Sequence, residues 1–162
     1  MARNTSFNFE ELSKCIQTAL RDSTNLSYVP DDSIVASSAV EKDIIPAFKS
    51  YLIRISPVDS GFLTKTPRIG RQYRNTYMVA IELWIKSGSS LKGRLFGGTT
   101  GTPKGVYEFF QDVSDTLEHN TFDDQLDSFP GTNISNSTQL ADDKGQCVGI
   151  GFVWTGNQDN IK

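Results

Sequence analysis

With one histidine and two cysteines in 162 residues, the chain lacks the side chains for several kinds of chemistry. A structural zinc centre takes four Cys or His ligands, so His119, Cys15 and Cys147 are too few and too scattered to build one. The two cysteines belong to no Cys-x-x-Cys pair and read as free thiols that behave as small apolar residues, which suits a reducing compartment. No stretch approaches the roughly 18 apolar residues of a membrane-spanning helix. The opening Met1-Ala2-Arg3-Asn4-Thr5-Ser6 also lacks the apolar core of a signal peptide. Neither a membrane nor export is expected, and the Asn-x-Ser/Thr triplets at Asn4, Asn25, Asn133 and Asn136 read as chance matches in a polar chain.

Charge of one sign is also missing over long stretches. From Lys49 to Lys104 there are ten Lys/Arg against two acids, Asp59 and Glu82, whereas Gly105 to Asp143 holds nine acids and no Lys/Arg. The overall balance is −3. A split of this kind suits contact between unlike surfaces, including neighbouring copies of one chain; two solvated faces are the alternative.

The most regular stretch present is Tyr77 to Lys86, in which Tyr77, Val79, Ile81, Leu83 and Ile85 alternate with Met78, Ala80, Glu82, Trp84 and Lys86. A two-residue period puts the first set on one face of a strand, and the spacing predicts a central, half-buried antiparallel strand. Phe48 to Ser56 alternates likewise and is its expected partner. The intervening Asp59 to Arg74 is too long for a tight turn and is expected to form a projecting hairpin arm or a flexible loop.

Before these strands, Asn8 and Glu11 form a capping-box pattern, Phe7 and Leu12 stand at the staple positions, and Leu12, Cys15, Ile16, Ala19 and Leu20 share a face, predicting a helix that ends near Arg21. Ser23 to Pro46 reads as an irregular connection. Ser87 to Gly101 is Gly/Ser/Thr-rich and is expected to be flexible. After it Thr102 as cap, Pro103 at the first position and the face Val106, Phe109, Phe110, Val113, Leu117 predict a second helix that covers the sheet. Asn133 to Leu140 reads as a weak strand, Asp142 to Gly145 as a turn and Gln146 to Thr155 as the last strand, with Gly149 and Gly151 open to a close neighbour. One domain is expected over residues 1–155, with a flexible tail at 156–162.

Three constellations bear on chemistry. Gly97-Gly98-Thr99-Thr100-Gly101-Thr102-Pro103-Lys104-Gly105 is similar to the phosphate loop of the acyl-adenylate-forming enzymes. Phe96 replaces that motif's small residue, and the chain has no room for adenine, acyl and lid sites. A loop feeding a capped helix accounts for the same residues. The acids Asp123, Asp124 and Asp127 lack calcium-loop spacing and read as a solvated connector. Lys65, Arg68, Arg71 and Arg74 recur every three residues around Tyr73. They suit either an acidic neighbour or a nucleic-acid backbone with a stacked base. The favoured reading pairs this arm with Glu108, Asp112, Asp115, Asp123 and Asp124 of a neighbouring copy. No enzymatic activity, metal or cofactor is expected.

Taken together, Tyr77-Met-Val-Ala-Ile-Glu-Leu-Trp-Ile-Lys-Ser87, the helix from Val106 to Leu117 and Cys147-Val-Gly-Ile-Gly-Phe-Val-Trp154 resemble the tail terminator proteins of long-tailed bacteriophages. The resemblance implies an α+β fold, a four-stranded antiparallel sheet with helices packed on one face and long projecting loops. It implies a homo-oligomeric ring, a hexamer in that family, which caps the tail tube, joins it to the neck or connector proteins and lets genome DNA pass through its lumen without sequence-specific binding. It places the chain in the tail or neck of a virion, after assembly in the host cytoplasm. The alternatives are another head-tail joining or tail-completion protein, or a small nucleic-acid-binding protein acting through Lys65 to Arg74.

Overall fold

The alternating stretch around Tyr77 becomes the spine of the molecule. A computed structural model describes residues 4–37, 48, 50–86, 91–98, 104–128, 133–141 and 147–161. Within them, strand β4 spans Gln72–Lys86 and lies antiparallel to β6, Cys147–Ile161, over fifteen residues each, from Gln72↔Ile161 to Lys86↔Cys147. On the other side of β4 two strands follow one another. Strand β2, Tyr51–Pro57, pairs with Val79 to Ile85, and strand β3, Leu63–Pro67, pairs with Tyr73 to Tyr77. Strand β5, Asn133–Ala141, flanks β6 with a register shift between Ser135 and Thr138.

Strand β1, Ile34–Ala36, runs parallel to β2, with Ile34 opposite Ile53. The order is β1-β2-β4-β6-β5, with β3 beside the far half of β4. The four-stranded antiparallel sheet expected above is therefore wrong: six strands are described, and one pair is parallel.

Helix α1, Phe9–Asp22, starts as its sequence predicts: the Asn8 side chain accepts from the Glu11 N–H at 2.8 Å, and the Glu11 carboxylate accepts from the Asn8 N–H at 3.1 Å. Each orphan donor of the first turn that finds such a partner stabilises the helix by about 1 kcal/mol. Phe7, Leu12, Ile16 and Leu20 are buried along its inner side. The supposedly irregular connection after it holds two short 3-10 turns, Thr24–Leu26 and Asp31–Ser33, and then β1. Gln17 and Arg21 donate to the Ile34 carbonyl at 3.1 and 2.9 Å, so polar residues of α1 hold the start of that edge strand. The end of that connection, residues 38–46, and the turn Asp142 to Gly145 lie outside the described residues.

Helix α2, Leu91–Phe96, occupies part of the stretch expected to be flexible, and α3, Val106–Leu117, follows it. The cap of α3 is Gly105, which makes no side-chain bond; Thr102 and Pro103 lie outside the described residues. A Cβ on Gly105 would stand 2.3 Å from the Leu95 carbonyl oxygen, so the close return of the chain past α2 requires glycine there.

One apolar cluster joins Val79, Ile81, Leu83 and Ile85 of β4 to Ile53 and Ile55 of β2, Ile150, Phe152 and Trp154 of β6, and Val106, Phe109 and Val113 of α3, with Phe110 half-buried against it. Its cover is not the helical layer expected, because Phe7, Leu26, Val29 and Leu126 from turns and connections complete it beside α1 and α3. The opposite face carries a smaller cluster of Leu52, Trp84 and Cys147. A Cβ on Gly149 would stand 2.2 Å from the Leu83 carbonyl oxygen and 3.2 Å from the Trp84 ring, so the close neighbours foreseen at that glycine are the β4 backbone at Leu83 and the Trp84 side chain.

Residues 156–161, expected as a flexible tail, are the far end of β6. Asn157, Gln158 and Asn160 are buried there although they are polar. Gln158 donates to the carbonyls of Asn4 at 2.6 Å and Gln125 at 2.8 Å, and accepts from Tyr77 at 3.2 Å and Asn160 at 2.8 Å. Buried polar groups are tolerated when bonded in this way.

Candidate functional site

The segment between the paired strands is a hairpin, with β3 and the first half of β4 joined by a turn in which Gly70 adopts a φ of 69°. A left-handed residue costs little only when it is glycine, which is why the turn can reverse so tightly between Arg68 and Arg71. The four cations of this arm have separate fates. Lys65 lies over the Tyr73 ring at 5.4 Å from its centre, a cation-π contact within one hairpin.

Arg74 makes a two-pronged contact with Asp159, its direct neighbour on β6, at 2.8 and 2.9 Å. That hydrogen-bonded carboxylate holds the Arg74 guanidinium above its usual value. Arg68 is 3.9 Å from the same carboxylate, and Arg71 is exposed. The arm therefore meets an acid of its own chain. Sequence reasoning missed Asp159 by assigning it to a tail.

The acidic set is likewise divided. Lys104 stands 3.5 Å from Glu108 and 3.8 Å from Asp112, and Tyr28 donates to Asp112 at 2.7 Å. Burial, then that bond and the Asp112 charge, push the Tyr28 phenol well above the tyrosine range. Asp115 accepts from Gln111 at 2.7 Å, and Asp127 accepts the Asp159 N–H at 2.6 Å. Asp123 and Asp124 are exposed, on a turn with positive φ just after α3.

Lys104 of the Gly/Thr loop is fixed at its backbone as well. Its N–H donates to the Tyr51 hydroxyl at 2.9 Å, and that hydroxyl donates to its carbonyl at 2.6 Å. Residues 99–103 of the loop lie outside the described residues. His119 is exposed just beyond the end of α3, Cys15 is half-buried and Cys147 buried, and neither cysteine is in a disulfide, as expected. Among the described residues no three His, Cys, Asp or Glu converge as a metal site, and no helix is long and apolar enough to cross a membrane.

Two of the surface depressions among the described residues adjoin these charges. One, of about 410 Å³, lies at the hairpin tip between Arg68, Ile69 and Gln72 and the β6 residues Asp159, Asn160 and Ile161. The other, of about 450 Å³, lies between α1 and the turn after α3, lined by Cys15, Thr18, Ala19, Asp22, Phe122 and Asp123 among others. The sequence carried one overlooked signal for the first: an isoleucine set between arginines at a glycine turn, Arg68-Ile69-Gly70-Arg71.

No protein-family model matches the chain, and no curated protein matches it in sequence. A solved structure does. A chain in the virion of a native gene transfer agent particle superposes with a TM-score of 0.61, covering 96% of this chain and 100% of that one at 13% identity. The two chains share their fold over nearly the whole length of each.

Proposed function

We propose that this chain is a structural component of a phage-like virion, and that its place there is the tail terminator. In that role copies close into a ring, with six as the expected number, that ends the tail tube and presents a second surface to the neck. The observation that carries the reading is the full-length likeness to a chain whose source is a virion particle. Two features support an assembly role over a catalytic one. The Lys104 ammonium of the phosphate-loop-like segment faces Glu108 and Asp112, and its backbone N–H is bonded to Tyr51, all within the chain. The exposed hairpin tip and the groove beside α1 are two different surfaces, as a head-to-tail ring requires of each copy.

The test is negative-stain electron microscopy of the purified protein, alone and mixed with tail tubes assembled from their own subunit. Rings that seat on one end of the tubes and stop their growth support the reading. A protein that binds isolated head connectors and ignores tubes is a different head-tail joining component. A protein that stays monomeric and binds neither is not a neck or tail-end protein.

A further inference from the structure

Resting on that ring-forming reading, we infer that the β3–β4 hairpin tip of one copy docks into the groove between α1 and the turn after α3 of a second copy, with Ile69 as the apolar anchor. Ile69 is 92% exposed and Ile161, across the tip depression, is 73% exposed. Two large aliphatic side chains left in water, one in the hairpin turn and one at the adjoining end of β6, mark a contact surface. Around them stand Arg68, Arg71 and Arg74 against two carboxylates, Asp159 and the Asp127 bonded to its N–H, so the tip keeps a small positive excess.

The groove complements it in both respects. Cys15, Ala19 and Phe122 offer an apolar floor, and Asp22 and Asp123 lie at its border with Asp124 adjacent in sequence. Lys14, also at the border, is bonded by Glu10 at 2.8 Å. The Cys15 thiol is pushed up by burial and then by the charges of Glu11 and Asp123, which places negative potential at the floor.

An apolar centre with an oppositely charged rim is the usual anatomy of a specific contact. Because knob and groove are different surfaces of one chain, each copy can give one and receive one, and the contact propagates head to tail. The anchor supplies affinity, while the rim pairs, being exposed, set register and rate of encounter.

The groove contains its own reporter. Ile69→Cys in the full chain, with a mild oxidant added to accept the two electrons, should form an intermolecular disulfide with Cys15, because a seated anchor brings the two Cβ atoms within bridging range. The expected result on non-reducing gels is a ladder of multimers that disappears when Cys15→Ser is added. Independently, Ile69→Asp should weaken self-association by at least about tenfold in sedimentation velocity, with an unchanged circular dichroism spectrum since the side chain is exposed. If wild-type protein forms rings, but Ile69→Asp forms them equally well and Ile69→Cys gives no Cys15-dependent ladder, this contact is wrong and the ring reading stands. A cross-link found only within one chain also overturns it. Wild-type protein that remains monomeric, alone and with tubes, removes both.

Discussion

On the sheet face away from the main core, Arg54 and Glu82 stand directly opposite each other on β2 and β4 and form an ion pair. Their side chains are 3% and 19% exposed, and Trp84 donates its indole N–H to the same Glu82 oxygen at 2.9 Å. Glu82→Ala removes the carboxylate that faces a buried guanidinium. Removing one partner of such a pair costs about 3 to 5 kcal/mol, a large part of the about 5 to 15 kcal/mol that holds an ordinary domain together. Glu82→Gln keeps an acceptor for both donors and should cost less, about 1.5 to 3 kcal/mol. Arg54→Met with Glu82→Leu removes both desolvated charges and should fall within about 1 kcal/mol of wild type, or exceed it. The assay is a double-mutant cycle by equilibrium urea denaturation, followed by tryptophan fluorescence and compared at equal m. A loss under about 1 kcal/mol for Glu82→Ala, or a double variant as unstable as the sum of its singles, refutes the claim that these charges are desolvated and coupled.

Gln158→Leu should destabilise the chain by about 2 to 4 kcal/mol, because it strips hydrogen bonds from the buried Tyr77 hydroxyl, the Asn160 amide and the carbonyls of Asn4 and Gln125. Amide hydrogen exchange should quicken first at the far end of β6; uniform exchange along β6 would show that the network is not local. The pH response follows from Tyr28, whose folded pKa lies above its unfolded value of 10.0, so its contribution is complete below about pH 10 and declines as the unfolded chain releases the proton first. Tyr51 and Cys15 are shifted in the same direction, the latter from 9.0. Urea midpoints of wild type should therefore fall between about pH 8 and about pH 11, and Tyr28→Phe should flatten that fall; identical slopes would contradict it.

Local chemistry alone settles those parts of the molecule whose partners lie nearby in sequence. The cap of α1 is written in Asn8 and Glu11, three residues apart, and the buried stripe of β4 is written in an unbroken two-residue period. The buried face of β6 up to Trp154 was readable for the same reason. Strand β1 was not, since three residues are too few to display a period and their parallel pairing with β2 is a long-range event. The cap of α3 escaped notice because Gly105 is required by the nearby return of Leu95, a contact visible only in space.

The candidate surfaces divide along the same line. Composition located a basic arm and an acidic stretch, but which charges are spent within the chain was decided by strand register. Asp159 meets Arg74 only because β6 continues past Thr155. That continuation is hidden in the sequence, where Gly156, Asn157, Gln158, Asp159 and Asn160 read as polar tail. Polarity favours solvent unless hydrogen-bond partners wait in the interior. Here they do, supplied in part by Asn4 at the other end of the chain, 154 positions away from Gln158.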